Sequence, residues 1–266
     1  MTSEQYLEAI PPEKREAILK VENVRKAFGG LIALDGVSME VEKGKVTIII
    51  GPNGSGKTTL LNVVTGFLKC DSGKIFYKGK EITNKPPHEI NRLGLVRTFQ
   101  IPQPFYNLTV LENLLVASRY NIGESVLNAM RRSKWIEYEK RDLDRATEVM
   151  EIVNLSKVAD QQTSKLSGGQ LKLLEIGRAL MNGADTIFMD EPVAGVNPSL
   201  AHEIFSLIRK LSKEKEMTFV IIEHRLEIAL GYVDYAYAMA KGMVVAQGRP
   251  EEVVNNPVVI ETYLGG

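Results

Sequence analysis

The stretch VTIIIGPNGSGKTTLL, Val46 to Leu61, decides the fold. VTIII is a continuous apolar run of the kind that forms a strand buried on both faces. TTLLNVVTGFL, from Thr58 onward, continues with helical spacing. Between them Gly51, Gly56, Lys57 and Thr58 fit G-x-x-x-x-G-K-[ST], and a strand before and a helix after is the context that motif requires. The glycines let backbone N–H groups close around phosphates. Lys57 supplies a point charge between the β- and γ-phosphates of a nucleoside triphosphate, and Thr58 offers its hydroxyl to Mg²⁺. The loop Gly51, Pro52, Asn53, Gly54, Ser55, Gly56, Lys57, Thr58 and Thr59 is therefore expected to hold the phosphates of a nucleoside triphosphate, with Mg²⁺ beside them.

Three further apolar runs end in polar residues that a sheet interior has no reason to place there. TIFM leads into Asp190-Glu191, VRTF into Gln100, and TFVII into Glu223-His224. Ligands of open parallel sheets sit beyond the carboxyl ends of the strands, so these residues are expected to converge on the γ-phosphate. Asp190 would hold Mg²⁺ through its water shell, and Glu191 would orient or deprotonate the attacking water. Gln100 and His224 would contact the metal shell and the γ-phosphate. The expected catalytic residues are thus Glu191, His224 and Gln100, and the metal residues Thr58, Gln100 and Asp190.

A second anion site lies downstream in LSGGQLKLLEIGRALM, Leu166 to Met181. Ser167 stands as an N-cap, Gly168 and Gly169 expose backbone amides, and the apolar helix behind them holds the start rigid. Both glycines and Gln170 exceed what capping needs.

Around these motifs, short alternating segments from Val21 to Val46 read as antiparallel strands, and GKIFYKGKEIT as another hairpin. The insertion at about 101–165 is charged, helical in spacing and without strand signals. Residues 1–20 are expected to form an N-terminal extension and 21–266 the main domain. The fold class is α/β: a P-loop core with a mostly parallel sheet, an N-terminal antiparallel β-subdomain and an inserted helical subdomain.

In this order and spacing the motifs resemble those of ATP-binding-cassette (ABC) ATPases, over nearly the whole chain from Val21. The resemblance implies that two subunits pack head to tail, so that Ser167, Gly168, Gly169 and Gln170 of one cap the nucleotide on the P-loop of the other. ATP then bridges the pair, and hydrolysis releases it. Hydrogen bonds to charged groups contribute ~1.5–3 kcal/mol each. Two such bonds at each of two sites give roughly 6–12 kcal/mol before ordering costs, against the ~5.5 kcal/mol that carries a two-state equilibrium from 1:99 to 99:1. Phe28 matches the aromatic that stacks on adenine, where many relatives have Tyr. Asn197 stands where many relatives place Asp, which weakens any transfer of that residue's cross-dimer role.

Within the family, LVRTFQIPQPFYNLTVLENLLVA, DEPVAGVNP, IIEHRLEIAL and GRPEEVVNNPVVIETYLG resemble the ATPase subunits of branched-chain amino-acid importers. The charged insertion near 119–147 favours the larger of their two paralogous ATPases. The partners implied are a second ATPase subunit (identical or paralogous), integral membrane permease subunits docking near Gln100 to Tyr106 and the helical insertion and, indirectly, a solute-binding protein. The place implied is the cytoplasmic face of the membrane. Close relatives serve urea or amide uptake and lipopolysaccharide export.

Composition agrees with a globular chain: 266 residues, 44% hydrophobic and 25% charged. Lys and Arg balance Asp and Glu at 33 each, so net charge gives no pull toward nucleic acid, and none is expected as a partner. Cys70 is the single cysteine, which excludes an internal disulfide or a cysteine-cluster metal site. No signal peptide or membrane-length apolar run is seen. His88 and His202 read as surface residues, and Trp135, Met130 and Tyr138 as helix packing. A P-loop metabolic kinase would not need LSGGQ. Soluble cassette proteins of DNA repair or translation carry long coiled-coil insertions or two motif sets, and this chain has neither.

Overall fold

The computed structural model describes residues 16–99, 102–119 and 132–264, without the side chains of 132–135 and 264. These residues form two compact units. One contains the chain up to Arg97, Asp185–Pro192 and the part from Ile208 onward; the other contains Thr98–Ala184 and Val193–Leu207.

The first unit holds two sheets. In the antiparallel one, β1 (Ala17–Phe28) pairs with β2 (Leu31–Glu42) and β4 (Ser72–Tyr77), and β4 with β5 (Lys80–Glu81), giving the order β2-β1-β4-β5. Along β2 the buried residues Val37, Met39 and Val41 alternate with exposed ones, the period-two pattern of a half-buried strand. β1 starts four residues inside the stretch assigned from sequence to the N-terminal extension: Ala17–Lys20 belong to the sheet, while residues 1–15 lie outside the described residues.

The second sheet has the order β10-β9-β3-β8-β7-β6. It comprises β3 (Val46–Ile50), β6 (Leu95–Arg97), β7 (Thr186–Asp190), β8 (Thr218–Ile222), β9 (Tyr235–Ala240) and β10 (Met243–Gly248). β9, β3, β8, β7 and β6 pair in parallel, and only β10 runs antiparallel, along β9. Every residue of β3, β7 and β8 is buried, as unbroken apolar runs require in a sheet covered on both faces. Helix α1 (Lys57–Val64) follows β3 and buries Leu60, Leu61, Val63 and Val64 in one cluster with Ile49, Phe188, Val220 and Ile222, and the short helix α2 (Pro87–Arg92) precedes β6.

Two buried tyrosines tie strands of one sheet to strands of the other. The Tyr77 hydroxyl donates to Thr186 Oγ1 (2.9 Å). The Tyr237 hydroxyl donates to the Glu40 carbonyl (2.7 Å) and accepts from the Glu40 N–H (3.0 Å).

The second unit is helical in its described elements: α3 (Val110–Val116), α4 (Arg132–Ile152), α5 (Gly168–Met181) and the start of α6 (Pro198–Lys215). α5 begins just past the end of the insertion read from sequence at about 165, and it belongs to this unit. A Cβ added at Gly177 would meet Leu114 of α3, Val149 of α4 and Val153 just beyond the end of α4, so a larger residue there would push them apart.

Candidate nucleotide site

The loop between β3 and α1 is shaped by its neighbours. Gly51 has φ 151° and Gly56 φ 101°, and a Cβ on either would collide with a backbone carbonyl, Met239 O and Ala33 O respectively. Only glycine fits there. Gly56 caps α1 without a side-chain hydrogen bond, so the amides of the first turn are not capped by a side chain of the cap residue. Such a start attracts anions. Thr58 is exposed on that turn and Thr59 half-buried. Lys57 is buried, and its ammonium donates to the Gly51 carbonyl (2.7 Å) and the Pro52 carbonyl (2.9 Å), with Ser55 Oγ at 3.4 Å. Burial pushes the Lys57 pKa below its ordinary value, while Asp190 and Glu191 act in the opposite direction.

Across from the loop, Asp190 ends β7 and is 7% exposed. Burial raises its pKa, opposed chiefly by Arg97, with Lys57 and His224 adding to that pull and Glu191 working against it. The Arg97 guanidinium lies 3.5 Å from Asp190, donates to Asn62 Oδ1 of α1 and faces the Phe67 ring at 5.4 Å. Glu191 adopts φ 49°, a left-handed backbone uncommon outside glycine, and its N–H is held by the Ile222 carbonyl at 2.9 Å. Its carboxylate Oε1 lies 3.5 Å from His224 Nε2. The first unit therefore brings Lys57, Asp190, Glu191 and His224 together, as expected from the strand ends.

Other expected residues have different surroundings. Phe28 closes β1 with its ring about half exposed and Lys26 Nζ 5.4 Å from the ring centre. Gln100 lies outside the described residues. Ser167 and Gln170 form a complete capping box: the Gln170 N–H donates to Ser167 Oγ (3.3 Å) and the Ser167 N–H to Gln170 Oε1 (2.9 Å). Gln170 thus has a full local role, contrary to the view that it exceeds what capping needs. The two glycines part company. A Cβ at Gly169 would press on Leu200, whereas Gly168 is exposed with nothing within 4 Å of where its Cβ would stand. Asn197 caps α6, its Oδ1 accepting the Leu200 N–H at 2.9 Å, a role Asp fills equally well.

His88 and His202 are exposed, and buried Cys70 is bonded to Asn84. Trp135 and Met130 carry no described side chain; Tyr138 is half-buried beside Arg141. Sequence reasoning missed Arg97. Its one signal was a cation inside the otherwise apolar run GLVRTF. It also named Glu223 without a role.

In the second unit, buried Asn113 accepts the Phe105 N–H (2.9 Å) and donates to the Phe105 carbonyl (3.1 Å). Phe105 and Tyr106, at 51% and 50% exposure, present their rings from this pinned loop.

Comparison with known proteins agrees with this geometry. The ABC transporter family profile matches residues 34–194, and a profile described as branched-chain amino acid ATP-binding cassette transporter matches residues 243–266. A probable branched-chain amino acid transport ATP-binding protein of Methanocaldococcus jannaschii is 53% identical over 252 residues, covering 93% of this chain and 97% of the relative. The ADP conformation of an ATP-binding cassette of an ABC transporter superposes with a TM-score of 0.82 at 51% identity, covering 94% of this chain and 99% of the other. A dimeric post-hydrolysis cassette with bound ADP and phosphate gives 0.71 at 26% identity, covering 87% and 98%. The chain belongs to the ABC transporter family and is one of its ATP-hydrolysing cassettes.

Proposed function

We propose that this chain is the ATP-hydrolysing subunit of an importer for branched-chain amino acids, driven by closure and reopening of a head-to-tail pair of cassettes. The observation that carries the reading is the convergence of Lys57, Asp190, Glu191 and His224 at one sheet end. In this mechanism the loop amides from Gly51 to Thr59 and the Lys57 ammonium bind the phosphates, and Phe28 stacks on adenine. Glu191 orients the attacking water or takes its proton, and His224 contacts the γ-phosphate.

Thr58, Gln100 and Asp190 would hold Mg²⁺. A hydroxyl, an amide oxygen and a buried carboxylate are hard oxygen donors that suit it, since Mg²⁺ takes one or two carboxylates and leaves its other positions to phosphate and water. When bound, the ion neutralises charge on the phosphate oxygens.

Ser167, Gly168 and Gly169 close on the nucleotide of the partner cassette. Exposure of Gly168 supports that role, because nothing in its own unit fills the space before it. Permease subunits dock on the loop bearing Phe105 and Tyr106, whose aromatic exposure and anchoring by Asn113 suit a mechanical contact. That partner supplies the path across the membrane and the chain sits at its cytoplasmic face; among the described residues no helix is long and apolar enough to cross a membrane. The substrate class follows the names of its relatives.

Glu191→Gln slows hydrolysis and should trap the closed pair. Size-exclusion chromatography of this variant with Mg-ATP is expected to show a dimer that ADP does not support. A monomer at high protein concentration in ATP would sink the closure mechanism. The substrate is tested by ATPase of the reconstituted complex, which leucine, isoleucine or valine with the solute-binding protein should stimulate and urea should not.

A further inference from the structure

Glu223 is 2% exposed at the end of β8, where an apolar residue would be cheaper to bury. One of its oxygens, Oε1, accepts two successive backbone N–H groups, His224 at 2.9 Å and Arg225 at 3.1 Å. The other, Oε2, is buried and meets no hydrogen-bond partner among the described residues. A carboxylate accepting the N–H groups that follow it closes a tight turn and fixes the backbone of the next residue. That residue is His224, whose Nε2 lies 3.5 Å from Glu191 Oε1. The residue before Glu223 matters equally: the Ile222 carbonyl holds the Glu191 N–H at 2.9 Å. One strand end therefore anchors both Glu191 and His224, the first through a carbonyl and the second through a buried carboxylate.

We propose that Glu223 is a positioning residue for ATP hydrolysis, holding the His224 turn in register with Glu191 and acting on turnover only through His224. The proposal rests on the reading of His224 as a γ-phosphate contact.

Thr and Val at position 223 have nearly the same shape, but only Thr offers an oxygen to the following N–H groups. The experiment measures kcat and KM for Mg-ATP with the full-length chain carrying E223T or E223V, each alone and combined with H224A. E223V is expected to lower kcat about tenfold or more with KM within about twofold, and E223T to recover at least about threefold of the loss. In the H224A background Glu, Thr and Val at 223 should turn over alike within about twofold, the signature of an effect routed through one residue. Equal activity of E223T and E223V in an otherwise wild-type chain overturns the proposal. So does a further loss from E223V on top of H224A, or a KM that rises in step with the fall in kcat. Should E223V fail to fold, E223Q takes its place: an amide oxygen still accepts both N–H groups, so kcat stays within about threefold, and a loss of about tenfold refutes the role. An H224A variant as active as wild type would sink the reading of His224 itself, and this proposal with it. Parity of E223T and E223V with H224A inactive sinks the positioning role alone.

Discussion

Glu175, on α5, carries a carboxyl group pushed up to about 7. Burial is the main cause, opposed by the Phe99 N–H and by the charges of Lys172 and Arg178. The folded state thus holds a proton that the unfolded chain releases near its ordinary value of 4.5. The stability this gives is complete below that ordinary value and is lost as pH rises through the folded one. Urea midpoints at pH 5 and pH 8 should show the wild type losing on the order of 2 kcal/mol relative to Glu175→Gln, which keeps an acceptor for Phe99 but does not titrate. Identical pH profiles for the two proteins would contradict this. At the same scale, Asp190, Glu191 and His224 were legible because each follows an unbroken apolar run, and Lys57 because it stands in the glycine motif after one. Arg97 was not. Its tie to Asp190 depends on β6 lying beside β7 in register, with Arg97 opposite Phe188, and spacing along one strand carries no such information.

Helix α5 shows what an element demands of its first turn. Ser167 was readable as a cap, but Gln170 satisfies the cap's own N–H, so part of the LSGGQ pattern is ordinary helix chemistry. Gly168 is different. Alanine there meets nothing in its surroundings and replaces a flexible residue at a helix start, so Gly168→Ala should leave stability unchanged or raise it by up to about 0.5 kcal/mol. If this turn closes on a partner's nucleotide, the same change should cut ATP turnover by about tenfold or more. Calorimetry beside an ATPase assay checks both halves, and a stable variant with full turnover would remove Gly168 from the mechanism. The insertion read from sequence stops near 165, short of α5, because the apolar periodicity of that helix fits a sheet face and a helical neighbour equally. Gly177, where Leu114, Val149 and Val153 come close, settles the matter only in three dimensions.

Across the first unit, polar links join the antiparallel and mixed sheets, and Tyr237 makes two of them with Glu40. Tyr237→Phe keeps the ring but strands a part-buried N–H and carbonyl, which should cost about 1–2 kcal/mol in denaturant unfolding. A variant as stable as wild type would mean that water satisfies Glu40 without loss. Neither tyrosine link was readable in advance, since each joins residues more than a hundred positions apart. The P-loop glycines carry a last implication. Carbonyls of β9 and β2 crowd Gly51 and Gly56, so both are required by the architecture whether or not a nucleotide ever arrives. In a descendant lineage that abandoned hydrolysis, selection for a soluble fold would go on preserving those two glycines while Lys57, Glu191 and Gly168 drifted. Decay of the motif would thus begin with its charges and leave its glycines behind, as a fossil outline of an extinct enzyme.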